Sequence, residues 1–134
     1  MGTTGIFAIE TKNFRGSYTI DGNQWLYGSG SNTIEAYSNP GEQIKVNTHV
    51  ILKFLSSEGL NMFKRSTFPV VAFINPNLTI RNKPKHYDVM HPSNLQNFIL
   101  SRKSKLSDEY VMAAARALKL YCAEISYYGN YSKF

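Results

Sequence analysis

Near the start of the 134-residue chain an acid and a base stand one residue apart, Glu10 and Lys12. The apolar run Ile6-Phe7-Ala8-Ile9 that leads into them reads as a β-strand. Side chains alternate along a strand, so Ile6, Ala8, Glu10 and Lys12 share one face while Phe7, Ile9 and Thr11 share the other. A carboxylate and an ammonium pointing the same way at a strand end can serve phosphodiester chemistry. The carboxylate can hold a divalent cation, and the lysine can orient or polarise an attacking water. For a Glu-x-Lys triplet taken alone, a surface ion pair is the plainer reading.

Other reactive side chains group less well. His86 and His91 lie five apart with no cysteine or third ligand near, and His49 is far from both, which speaks against zinc. Cys122 falls on the expected inward stripe of a helix and reads as core. No Gly-x-Ser-x-Gly elbow occurs.

The elements that must position Glu10 and Lys12 follow in order. After a bend over residues 13–16, residues 17–20 are β-rich. Asp21-Gly22-Asn23 is a hairpin turn, because Asp-Gly supplies positive φ, and residues 24–27 return as the partner strand. Gly28-Ser29-Gly30-Ser31 reads as a plain turn before a strand at residues 33–37. It lacks the spacing and the Lys-Ser or Lys-Thr of a nucleotide loop. Asn39 and Pro40 are the cap and first residue of a helix that runs to about residue 58, stopped by Gly59. Ile44, Ile51, Leu52 and Leu55 mark its core face. A second line, Gln43, Asn47, Val50 and Phe54, borders that face and begins with two polar residues. They are either ordinary edge residues or aimed at a ligand over the sheet. Residues 67–75 form a continuous apolar run, expected as a central strand covered on both faces. Short strands are expected at residues 78–80 and 88–90, and a brief helix at 94–100. A final helix spans residues 107–126, with Val111, Ala114, Ala115, Leu118, Tyr121, Cys122 and Ile125 as its buried stripe. Residues 127–134 form an aromatic, basic tail.

The length suits a single domain over 1–134. With 43% hydrophobic and 18% charged residues, the composition is that of a folded protein and excludes a disordered chain. A net charge of +6 and a pI near 9.5 favour a polyanionic partner. A lone cysteine excludes an intramolecular disulfide, and no apolar run is long enough to cross a bilayer. A cytoplasmic protein without a membrane partner is the expectation.

In this order, the elements resemble the nuclease-related domain, often written NERD, of the PD-(D/E)XK nuclease superfamily. The resemblance rests on Gly5-Ile6-Phe7-Ala8-Ile9-Glu10-Thr11-Lys12-Asn13-Phe14-Arg15-Gly16 and on Trp25 after the hairpin. It continues through Asn39-Pro40 with Gln43 and Asn47 on the helix, and through the apolar strand at residues 70–74. It spans about residues 4–100. The implied fold is α/β, a restriction-endonuclease-like central mixed sheet flanked by helices. The resemblance makes Glu10 a ligand of Mg²⁺ or Mn²⁺, the Thr11 carbonyl a further ligand, and Lys12 the residue that positions water. Gln43 would be a polar catalytic residue of the helix, with Asn47 one turn on contacting nucleic acid. Arg15 and Lys45 would contact phosphate, although the commoner role of each is a solvated surface charge. Trp25 reads as a packing residue rather than a base-stacking one.

The pattern departs from the family in one respect. The superfamily site also needs an Asp from a strand preceding Glu-x-Lys, whereas only Met1-Gly2-Thr3-Thr4 precede Gly5. The chain resembles such a domain without its first helix and strand. A metal held by one carboxylate and one carbonyl would bind weakly if at all. Little or no cleavage of DNA is therefore expected from this chain alone. An exposed sheet edge, open to a second copy or to another chain, is expected as well. A non-catalytic nucleic-acid-binding module and a protein-interaction domain are the rival classes.

Overall fold

The computed structural model of the protein describes residues 1–103 and 105–131. Side chains at 62, 63 and 123–131 lie outside that description. The first strand, β1 (Ile6–Lys12), is apolar and β-branched where it enters the core. It pairs in parallel with β5 (Thr67–Phe73), Glu10 lying opposite Val71 and Lys12 opposite Phe73. On its other side β5 pairs in parallel with β7 (Asp88–Met90). The order β1-β5-β7 makes β5 central and leaves β1 at an edge among the described residues. Val70, Val71, Ala72 and Phe73 are all buried, as a strand covered on both faces requires.

A second sheet, in the order β4-β3-β2-β6, comprises β2 (Tyr18–Asp21), β3 (Gln24–Ser29), β4 (Asn32–Glu35) and β6 (Leu78–Asn82). Two-residue hairpins join its first three strands. Gly22-Asn23 closes the first, with positive φ at Gly22 alone, because Asp21 stays in the ladder opposite Gln24. The expected turn at residues 28–31 is shorter than the sequence implied. Gly28 and Ser29 belong to β3, and only Gly30-Ser31 turns the chain, so β4 begins at Asn32.

Helix α1 (Pro40–Ser57) starts where its cap predicts: the Asn39 Oδ1 accepts the Glu42 N–H at 3.2 Å, and Pro40 occupies the first turn. It ends in a Schellman motif. The Leu60 and Gly59 N–H groups donate to the carbonyls of Leu55 and Ser56, at 2.8 and 3.0 Å, and Gly59 adopts φ 76°. Ile44, Thr48 and Leu55 are buried against β1 and β5, while Gln43, Asn47 and Val50 face solvent. Ile44 shares a cluster with Ala8, Val71 and Phe73, and Leu55 shares another with Ile6. The helix thus runs against the direction of β1, with its first turns toward the Glu10 end.

Helix α2 (Leu95–Leu100) follows a 3₁₀ turn (Pro92–Asn94) and covers the opposite face of the parallel sheet. There Phe98 meets the stacked pair Phe7 and Phe68 edge-on. Helix α3 (Asp108–Tyr131) packs on α1, with Ala114 fully buried beside Leu55 and Leu106 and Tyr121 stacked on Phe54. It runs past the expected end at residue 126, since a helical Gly such as Gly129 costs about 1 kcal/mol without breaking the helix. Ala115 and Cys122 are exposed rather than buried. Contact with a single helix needs only the narrow seam Val111, Ala114, Leu118 and Tyr121, and both residues fall one step off it. The Ile125 side chain and residues 132–134 of the tail lie outside the described residues.

Candidate active site

The alternation in β1 determines what Glu10 and Lys12 can reach. Ile6 and Ala8 are buried under α1, and Glu10 and Lys12 continue that face past the end of the core. Their side chains form an ion pair of 3.0 Å, with Lys12 25% and Glu10 20% exposed. The pair is thus sheltered rather than loose on the surface, and the ammonium also lies 5.9 Å from the Phe14 ring. Even-numbered residues of β1 turn their backbone groups to β5: the Ile6 N–H donates to Ser66 and the Lys12 carbonyl accepts from Ile74. The Thr11 carbonyl therefore points off the open edge, and the Thr11 side chain is exposed on the far face.

The loop after Lys12 is held by Asn75, a residue that no pattern in the sequence singles out. Asn75 Nδ2 donates to the carbonyls of Phe14 and Gly16, at 2.7 and 2.5 Å, while its Oδ1 accepts the Asn77 N–H. This clamp fixes the course of the chain just beyond Lys12. Its only sequence signal is the Asn-Pro-Asn that ends the apolar run. Tyr87 is the other residue missed. It is buried, accepts the Trp25 indole N–H at 2.9 Å, and lies against Gly41 at the start of α1. Trp25 itself is 1% exposed, a packing residue as expected.

The remaining candidates are dispersed. Arg15 is exposed in the loop after β1. Gln43 and Asn47 are exposed on α1, and among the described residues no side-chain hydrogen bond or ion pair joins either to Glu10 or Lys12. Lys45 is half-buried and paired with Glu42 at 2.6 Å. The acids that could have joined Glu10 are committed elsewhere or distant. Asp21 holds Asn82 at 2.6 Å and Arg81 at 3.5 Å, Glu42 holds Lys45, and Glu35 is exposed on β4. Among the described residues no three His, Cys, Asp or Glu side chains come together to hold a metal ion. One carboxylate and one carbonyl would leave most of an octahedral Mg²⁺ shell to water and supply a single negative charge, which makes for weak binding.

No helix among the described residues is long and apolar enough to cross a membrane. No curated protein and no solved structure matches the chain. The family model described as Nuclease-related domain does match, over residues 1–74 of the 134. That span contains β1 with its Glu-x-Lys pair, both hairpins, α1 and β5, which together form the framework around Glu10. On this match across more than half its length, the chain belongs to the nuclease-related domain family.

Proposed function

We propose that this chain carries half of a phosphodiester-hydrolysing site. As it stands, it binds DNA with little or no cleavage. The observation that carries this reading is the sheltered Glu10–Lys12 pair, 3.0 Å apart at the end of β1 beside an outward-pointing carbonyl. In this arrangement the Lys12 ammonium is held in place by Glu10 and can donate to a phosphate oxygen or to a water next to it. The exposed Arg15, in the loop that Asn75 anchors, adds a second cation on the strand-end side, and the net charge of +6 draws a polyanion. The donor set does not fit a tightly held Mg²⁺ or Mn²⁺, so no hydrolytic step is assigned through one. A second carboxylate, delivered at the open edge of β1 by another polypeptide segment, would complete the site.

Plasmid DNA incubated with the chain and Mg²⁺ or Mn²⁺ tests this. The expected result is nicking no faster than in a Glu10→Ala, Lys12→Ala control, with DNA binding retained. Cleavage by the unaltered chain that Glu10→Ala abolishes would show the site to be complete. Absence of DNA binding at low salt would favour a protein-interaction domain instead.

A further inference from the structure

At the far end of the parallel sheet from Glu10, and on its opposite face, a pocket of about 240 Å³ is lined by Thr4, Arg65, Ser66, Phe68 and residues 101–103 and 105. Four of the lining residues are cations, Arg65, Arg102, Lys103 and Lys105, and none is an acid. Among the described residues none of the four has an acidic partner.

Arg102 is the built part of the pocket. Its guanidinium lies 4.2 Å from the Phe98 ring centroid and 4.9 Å from that of Phe68, so the two rings set its plane. Its Nε is sealed from water with no hydrogen-bond acceptor. Such a group costs free energy unless something compensates it. The six-residue α2 presents its C-terminal carbonyls nearby, which offsets part of one charge and leaves the other three. Lys105 is placed by the backbone, since the N–H groups of Lys105 and Leu106 both donate to the Thr3 carbonyl, at 3.0 and 3.1 Å. Four converging cations without a carboxylate are mutually repulsive until an anion enters, and the pocket is smaller than the roughly 300 Å³ at which sites for drug-sized ligands begin.

We propose that this pocket is a phosphate-binding site, with the Arg102 guanidinium as its fixed element and Arg65, Lys103 and Lys105 closing around the anion. Guanidinium and ammonium donors suit phosphate oxygens, and the hydroxyl groups of Ser66 and Thr4 at the lining offer further donors, whereas that of Ser101 is already given to the Phe98 carbonyl. The phosphate is either a small free anion or the terminal phosphate of a nucleic-acid strand. The site does not depend on the reading of Glu10 and Lys12.

The test measures thermal unfolding of the full chain in potassium phosphate against potassium chloride at matched ionic strength. It also measures fluorescence-anisotropy binding of one oligonucleotide with and without a 5′-phosphate. Phosphate is expected to raise the midpoint above chloride, and the doubly substituted Arg65→Gln, Lys105→Gln chain to lose that difference. Both residues are exposed, so the variant is expected to fold, and Arg102→Gln provides a second check where it folds. A 5′-phosphate that tightens oligonucleotide binding by about tenfold, an advantage lost in the same variant, assigns the anion to a strand. A response to inorganic phosphate alone assigns it to a small anion. Equal midpoints in phosphate and chloride, or a difference that survives both substitutions, would overturn the proposal. Glu10→Ala is expected to leave the phosphate response unchanged, so failure here and failure of the Glu10–Lys12 reading are told apart.

Discussion

Tyr87 shows how a single side chain can tie distant parts of the chain together. Its hydroxyl accepts the Trp25 N–H across 62 positions of sequence, so nothing local to either residue announces the pair. Burial pushes the phenol above the ordinary tyrosine value of 10.0; the Trp25 hydrogen bond and the charge of Lys45 oppose this, and Glu42 adds to it. The folded state therefore holds the phenolic proton more tightly than the unfolded state. The stability this contributes is fully present below pH 10 and is lost as pH rises through the folded-state value. A urea midpoint that falls between about pH 9 and about pH 11, with a shallower fall in Tyr87→Phe, is the expected result. At neutral pH the same variant should be less stable by about 1–3 kcal/mol, because the Trp25 N–H is left without its acceptor. Glu10 and Lys12, in contrast, were legible: the strand period alone put them on one face. That they are sheltered and in contact was not, since the Phe14 ring beside Lys12 is placed by its packing on Phe73.

The elements were mostly legible because their ends are written locally. Asn39-Pro40 and Gly59 bound α1, and Gly22 sets the first hairpin, all through contacts within five residues. Errors arose where packing width mattered, as at Ala115 and Cys122, which lie just outside the seam between α3 and α1. Gly41 carries the strongest test at this scale. In an isolated helix Gly→Ala gains about 1 kcal/mol. Here a Cβ at Gly41 would collide with the Tyr87 ring, and Tyr87 is fixed by Trp25. Gly41→Ala is therefore expected to destabilise the protein by about 1–3 kcal/mol in urea unfolding. The cost should shrink in a Tyr87→Leu background, where the colliding ring is gone. A stabilising Gly41→Ala would refute the close approach of α1 to Tyr87.

For the whole molecule, the distribution of charge matters more than its sum. Arg15 and Lys12 lie at one end of the parallel sheet, and the Arg102 pocket lies at the other, on the opposite face. Nucleic-acid binding through such cations releases counterions, so affinity is expected to fall by about tenfold or more between about 50 and 200 mM salt. Titrations at several salt concentrations measure this, and a flat response would argue against phosphate contacts of either kind. By itself, the sequence determined where most strands lie, the first hairpin, the boundaries of α1 and the shared face of Glu10 and Lys12. These follow from capping, turn chemistry and periodicity, which act between near neighbours. Only the tertiary structure decided that β1 pairs with β5 through its even-numbered residues, which turns the Thr11 carbonyl toward the open edge. It also decided that Asp21 is held by Arg81 and Asn82, and that Arg65 meets the cations of residues 102–105 beside Phe68. Each of these depends on which strand pairs with which and on contacts across tens of residues, and that long-range pairing is not encoded in any local pattern.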